Sequence, residues 1–258
     1  MTNKRHNWKL RMKFLSLVFA LLLTAFLVGF AAAPNAAPAD DAGLQTVLKK
    51  MDAVAATFHT AQANFRWETY EKVIDEVDDV ETGTIYYRKN SKEVEMMAEI
   101  KMVGSSDATL KPEPKYVLFS GGRVQMYLPK PDQVTQFDLG KNNSDFQNYV
   151  LVVGFGGSGQ DMQKSFDVTY GGQETIEKLP TARLELVPKS EKVRNTYKQI
   201  TLWIDLDKGV SVRQKLVSPQ GDYKLVNYFD TQINGKKIPD EVFKLKTTSK
   251  TQTISPKG

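Results

Sequence analysis

Ala63-Asn64-Phe65-Arg66-Trp67-Glu68 alternates apolar and polar side chains one residue at a time. A period of two means an extended strand with one apolar face. Val94, Met96, Ala98 and Ile100 repeat the pattern. Strand-length apolar segments follow at Thr84 to Arg88, Tyr116 to Ser120, Arg123 to Tyr127, Val134 to Asp138, Phe166 to Tyr170, Ala182 to Val187, Gln199 to Ile204, Val210 to Val217 and Tyr223 to Phe229. Gly121-Gly122, Asp207-Lys208-Gly209, Pro219-Gln220-Gly221-Asp222 and Asn234-Gly235 fall between these runs and predict hairpin connections, with neighbours pairing in sequence order as one long meander. Helices are few. Leu44, Val47, Leu48, Met51, Val54 and Phe58 recur at three- and four-residue steps, capped by Asp40 or Asp41, and Asp145 to Val153 and Asp161 to Ser165 also read as helical. The expectation is mainly β: a large curved sheet of about eleven strands with helices packed on it. Asp75 to Glu81 reads as a solvated acidic loop, and the tail after Leu245 as frayed.

Ahead of this domain, Lys4, Arg5, Lys9, Arg11 and Lys13 precede an apolar run from Phe14 to Phe30, then small residues at Ala31 to Ala33 and Ala37-Pro38-Ala39. That is the layout of a cleaved secretory signal over residues 1–39, cut after Ala33 or Ala39, followed by a single domain over residues 40–258. Losing those five cations leaves 30 basic side chains against 30 acidic ones, so the net charge of +5 belongs to the leader. A neutral domain loses the electrostatic footprint of nucleic-acid binding. The chain has no cysteine, which excludes disulfides, thiolate chemistry and a lipid anchor of its own on cysteine.

The domain is poor in catalytic constellations. Its one histidine, His59, lies just past the helix stripe and reads as a packing or capping residue. Asp75, Asp78, Asp79 and Glu81 lack the glycine and spacing of a calcium loop, so no metal is expected. Gly154-Phe155-Gly156-Gly157-Ser158-Gly159 matches a dinucleotide fingerprint, but one helical turn leads from it straight into Phe166-Asp167-Val168. A Rossmann unit needs a longer helix and a second parallel strand, so the motif reads as a flexible connection, with a hinge as its more interesting use. A carboxylate hydrolase would have to use pairs such as Glu68 and Glu71, which three-residue spacing sends to opposite faces of a strand. No enzyme and no cofactor are expected.

What stands out is a supply of soft and aromatic side chains: Phe65, Trp67, Ile85, Tyr87, Met96, Phe119, Met126 and Phe137. They serve either as ordinary core or as the lining of an internal cavity for an apolar guest, to which methionines adapt their shape.

Specific segments then resemble a family. Phe119-Ser120-Gly121-Gly122-Arg123-Val124-Gln125-Met126-Tyr127-Leu128-Pro129, followed by Val134-Thr135-Gln136-Phe137, is similar to the hydrophobe, serine, glycine turn, strand, Tyr-x-Pro, threonine pattern of the LolA-type outer-membrane lipoprotein carriers. Gly83-Thr84-Ile85-Tyr86-Tyr87-Arg88-Lys89 resembles the family's early strand ending in a basic pair. Leu184-Glu185-Leu186-Val187-Pro188 resembles its Leu-x-Leu-x-Pro strand, and Asn234-Gly235 with Pro239-Asp240-x-x-Phe243 its close. The resemblance implies an incomplete, half-open antiparallel barrel with a helical lid. It implies a monomeric periplasmic carrier that takes acylated lipoproteins from an inner-membrane transporter to an outer-membrane acceptor. The eight side chains above would line the lipid-binding cavity, and Arg88 or Lys89 would be the cargo-handling basic residue. The proline that usually follows the basic pair is Asn90 here. Burying an acyl chain is worth about 0.8 kcal/mol per methylene, so a lipoprotein cannot cross an aqueous space unaided. The alternative reading is a lipid- or lipoprotein-sensing envelope regulator built on the same sheet.

Overall fold

Two antiparallel meanders meet side by side in a twelve-stranded sheet that does not close. A computed structural model describes residues 41–89, 94–138 and 155–255. The first meander comprises β1 (Thr60–Glu71), β2 (Glu76–Lys89), β3 (Val94–Gly104), β4 (Lys111–Ser120), β5 (Arg123–Leu128) and β6 (Gln133–Asp138). The second comprises β7 (Phe166–Ile176), β8 (Leu179–Pro188), β9 (Gln199–Asp205), β10 (Ser211–Val217) and β11 (Tyr223–Ile233). β1 pairs with β11, so the meanders join between the first and eleventh strands, and β6 and β7 lie far apart in the sheet. All eleven expected strands are present, but the single meander is corrected to two. Hairpin turns fix only local neighbours, whereas joining β1 to β11 is a long-range pairing that no turn encodes.

Opposed residues of antiparallel neighbours share a face, so the register defines an inner face, which carries the helices, and an outer one. On the inner side α1 (Asp41–Thr57) lays Leu44, Val47, Leu48 and Met51 against Leu184, Leu186, Ile200, Leu202 and Ile204 of β8 and β9. α2 (Gly159–Ser165) adds Met162 to the same cluster. Ser158 caps α2, its hydroxyl accepting from the Asp161 amide at 3.0 Å. A Cβ on Gly159 would stand 2.7 Å from the Leu48 carbonyl oxygen, so this glycine lets α2 close onto α1. The described part of the glycine motif is therefore tightly packed rather than a loose connection. The expected helix Asp145 to Val153 and the leader lie outside the described residues, as does Asp40. A short α3 (Glu191–Arg194) lies between β8 and β9.

Three further expectations are corrected. Asp75 to Glu81 is not a loop: the chain turns at Lys72 to Asp75, and Glu76 onward is β2. Its charges are tolerated because they occupy the end of the strand, where Asp78 is the extra residue of a bulge opposite Thr69 and Tyr70. Asn234-Gly235 joins no hairpin. Asn234 instead pins the corner between α1 and β1: its Oδ1 accepts from the His59 and Thr60 amides at 2.8 and 3.1 Å, and its Nδ2 donates to the Thr57 carbonyl at 2.7 Å. Finally, the described part of the tail is not frayed. It forms β12 (Gln252–Ile254), paired parallel with β6 at the sheet edge.

Asp132 holds that tail. Its carboxylate accepts from Thr248 and Thr251 hydroxyls at 2.6 Å each and from Tyr127 at 3.1 Å. The Thr248 and Thr251 hydroxyls, with Tyr127, hold this carboxyl below its ordinary value of 3.8. A depressed carboxylate contributes stability that is fully present above the unfolded value and is lost as pH falls through the folded one. β12 is thus expected to undock below pH 3.8. Asp132→Ala should release it at neutral pH, read as faster amide exchange over residues 248–254 with the rest of the sheet unchanged.

On the outer face, the segment from Ile238 to Leu245 covers Met97 and Leu118. Arg88 is the clasp. It donates to Glu95 from Nε at 2.8 Å and Nη2 at 2.5 Å, pairs with Asp240, and stacks on the Phe243 ring at 4.3 Å. Arg88→Ala would strand the nearly buried Glu95 carboxylate and should cost roughly 1–3 kcal/mol in urea unfolding.

Candidate functional site

The inner face of the first meander is a set of apolar rows running across the strands. Ala61, Tyr87, Met96, Phe119, Val124 and Phe137 stand opposite one another from β1 to β6. Beside them run Ala63, Ile85, Ala98, Val117 and Met126. Toward β11, Phe65 opposes Tyr228 and Trp67 opposes Val226. All eight candidate side chains therefore share one face, the result expected when a single hydrophobic pattern fixes strand register. Phe65, Ile85, Tyr87, Met96 and Phe119 are buried in one cluster against which Trp67 packs; Met126 and Phe137 are half-buried toward the β6 edge.

Two aromatics cover these rows. Phe58, the residue after α1, meets Tyr87 edge to face at 5.0 Å, and Phe155 meets Tyr228 in the same way at 4.9 Å. Both are 1–2% exposed. The glycine motif packs against the first of them: at Gly156, φ is +74° and a Cβ would lie 2.5 Å from the Phe58 ring. Phe58 was legible as part of the helix stripe, though not as a cover. Phe155 was hidden inside the glycine run.

The pair Arg88 and Lys89 divides between the faces. Arg88 is on the outer side, opposite Glu95, and committed to the clasp. Lys89 opposes Val94 on the inner side and lines a cleft of about 310 Å³ with Asp52, Ala55, Ala56, Gly156, Ser158, Gln160 and Asp161. Asp161 is held below the usual carboxylate range chiefly by Lys164 and Ser158, with Lys89 assisting through space. A second cleft, of about 420 Å³, opens away from the rows among Tyr70, Lys72, Lys198, Lys215 and Tyr223.

The other end of the inner face is polar. Glu81, opposite Trp67, receives the Lys115 ammonium at 2.6 Å. Lys224, on β11 opposite Leu216 and Thr69, extends its Nζ to 5.3 Å from the Trp67 ring centre. Burial pushes this ammonium below the ordinary lysine value, with Glu81 and Asp79 opposing the shift. Gln214, on β10 opposite Val226 and Leu202, is 2% exposed. Of these only Glu81 was singled out from sequence, as part of the acidic run, although Lys224, Val226 and Tyr228 alternate in a run that was recognised as a strand.

The described residues thus form an open half-barrel whose apolar inner face is sheltered by helices and by two aromatic side chains, the architecture that the LolA-type motifs implied. Solved structures similar to it in fold include an uncharacterized conserved protein from Thermus thermophilus at 9% identity and TM-score 0.50, over 82% of this chain and 98% of that one. A LolA superfamily protein from Nitrosomonas europaea aligns at 14% identity and TM-score 0.38, over 78% and 97%. MucB in the MucA/MucB complex of Pseudomonas aeruginosa aligns at 15% identity and TM-score 0.44, over 77% and 60%. At these identities the likeness is one of fold. No family model and no curated protein sequence matches the chain.

Proposed function

We propose that this protein is a periplasmic carrier that binds the acyl chains of lipoproteins on its inner face and moves them from an inner-membrane transporter to an outer-membrane acceptor. The observation that carries the reading is the continuity of the apolar rows from Val226 to Phe137, over which, among the described residues, Phe58 and Phe155 are packed. Rows of this kind offer an acyl chain apolar contact in place of bilayer, and a small cover that swings aside lets the guest enter and leave. Val54 and Phe58 tie the cover to the end of α1, so the opening motion would be a displacement of the α1 corner about Asn234 and of the Gly156 loop. Chain binding needs only shelter and release, which accords with a non-enzymatic role.

Lys89 is the better candidate for cargo handling, because it faces the inner cleft beside the cover while Arg88 is spent on the outer clasp. Lys89→Ala should slow loading without altering stability, as measured by transfer of an acylated lipoprotein from liposomes.

Native mass spectrometry of the protein after gentle periplasmic purification tests the whole reading. An acylated lipoprotein is expected to copurify. A protein that emerges empty and takes up no acylated lipoprotein on mixing would overturn it, and one that binds the periplasmic part of a membrane regulator without transferring cargo would favour the sensor instead.

A further inference from the structure

The inner face contains hydrogen-bond donors that the fold itself does not use. Gln214 is 2% exposed, yet its Nε2 has no hydrogen-bond partner, and the buried Ser218 hydroxyl is likewise unpartnered. The Lys224 ammonium rests over the Trp67 ring, and Glu81, which attracts it, is committed to Lys115. These three groups belong together by register. Gln214 opposes Val226 and Leu216 opposes Lys224, so Gln214 and Lys224 are diagonal neighbours on adjacent strands, a separation of about 7–8 Å that long side chains span. Alternation along β10 puts Ser218, one residue past its end, on the same face as Gln214 and Leu216.

A buried donor without an acceptor is costly, and two of them on the same face as a desolvated ammonium are groups that an acceptor-rich guest would satisfy. The charge and hydrogen-bonding pattern selects an oxyanion. The apolar rows select what is attached to it, since β1 carries the inner face from Thr69, opposite Lys224, to Ala61 beneath the cover, roughly 26 Å at the rise of an extended strand. The Trp67 ring lies between the two regions, under the ammonium and against the apolar cluster.

We propose that Lys224, Gln214 and Ser218 form a binding site for the acidic head group, carboxylate or phosphate, of an amphiphile whose chain lies along the inner-face rows. This rests on the reading that the face accepts acyl chains, and it adds a polarity: head group at the β10–β11 turn end, chain toward Phe58 and Phe155.

The test compares hexadecanoate, hexadecyl phosphate and hexadecanol, which share one chain, by calorimetry and by Trp67 fluorescence on the purified protein. Either acid is expected to bind about tenfold tighter than the alcohol, and whichever acid binds more tightly identifies carboxylate or phosphate as the natural head group. Lys224→Met should erase that preference and Lys224→Arg should keep it. Gln214→Met should weaken acid binding while raising the melting temperature, because it removes an unsatisfied buried amide; a merely structural glutamine would show the reverse. Equal binding of acid and alcohol, or a preference that survives Lys224→Met, overturns the head-group site while leaving chain binding intact. Failure of all three ligands to bind overturns both readings.

Discussion

A Met96→Asp chain is expected not to fold. Met96 is 5% exposed and lies between Tyr87 and Phe119 in the middle of an inner-face row. An ionised carboxylate there has no basic partner among the opposed residues, and an unpaired charge in such surroundings costs several kcal/mol, a large share of the roughly 5–15 kcal/mol that holds a domain together. Far-UV circular dichroism and urea titration would show a chain unfolded or molten at 25 °C; a cooperative transition near the wild-type midpoint would mean that this face is far softer than its packing indicates. The contrasting substitution is Trp67→Glu. Trp67 is only half-buried, and Lys224 stands beside it, so the variant should fold, with the new carboxylate paired to that ammonium. If the inner face carries acyl chains, this folded variant should lose them.

Phe155→Ala should separate stability from binding. Removing a fully buried phenylalanine costs about 3–5 kcal/mol, and the loss should be visible in the urea midpoint. Phe155 also occupies space over Tyr228 that a guest would need. Its removal takes away a competitor for the inner face, so acyl-chain affinity should rise while stability falls. Parallel loss of both would identify Phe155 as core alone and remove the cover from the proposed function.

Much of the fold was legible because the inner face follows a simple period. Phe65 and Trp67, or Val94, Met96 and Ala98, point the same way in any strand, and only one register buries them all together. The acidic run from Asp75 was misread for the same reason: Asp75, Asp78, Asp79 and Glu81 suggest solvent, yet β2 carries most of them into a hairpin with β1, and Glu81 acquires its own cation from β4. The tail after Leu245 had no apolar period at all. It is ordered by two threonine hydroxyls meeting one carboxylate more than a hundred residues earlier, a contact with no local signature.

The sequence by itself determined the class of fold, the strands and which side chains alternate together within each strand, because apolar periodicity and turn residues act over a few residues and read directly from the chain; a one-residue slip of register, which swaps the faces, was left open. Only the tertiary structure decided which face is the inner one, how the two meanders join, that Arg88 is a clasp while Lys89 faces the cleft, that Phe58 and Phe155 join one apolar cluster on the inner face, and that the buried Gln214 amide is left without an acceptor. Each of those is a meeting of residues distant in the chain, fixed by where long-range packing brings them and by which partners are already taken.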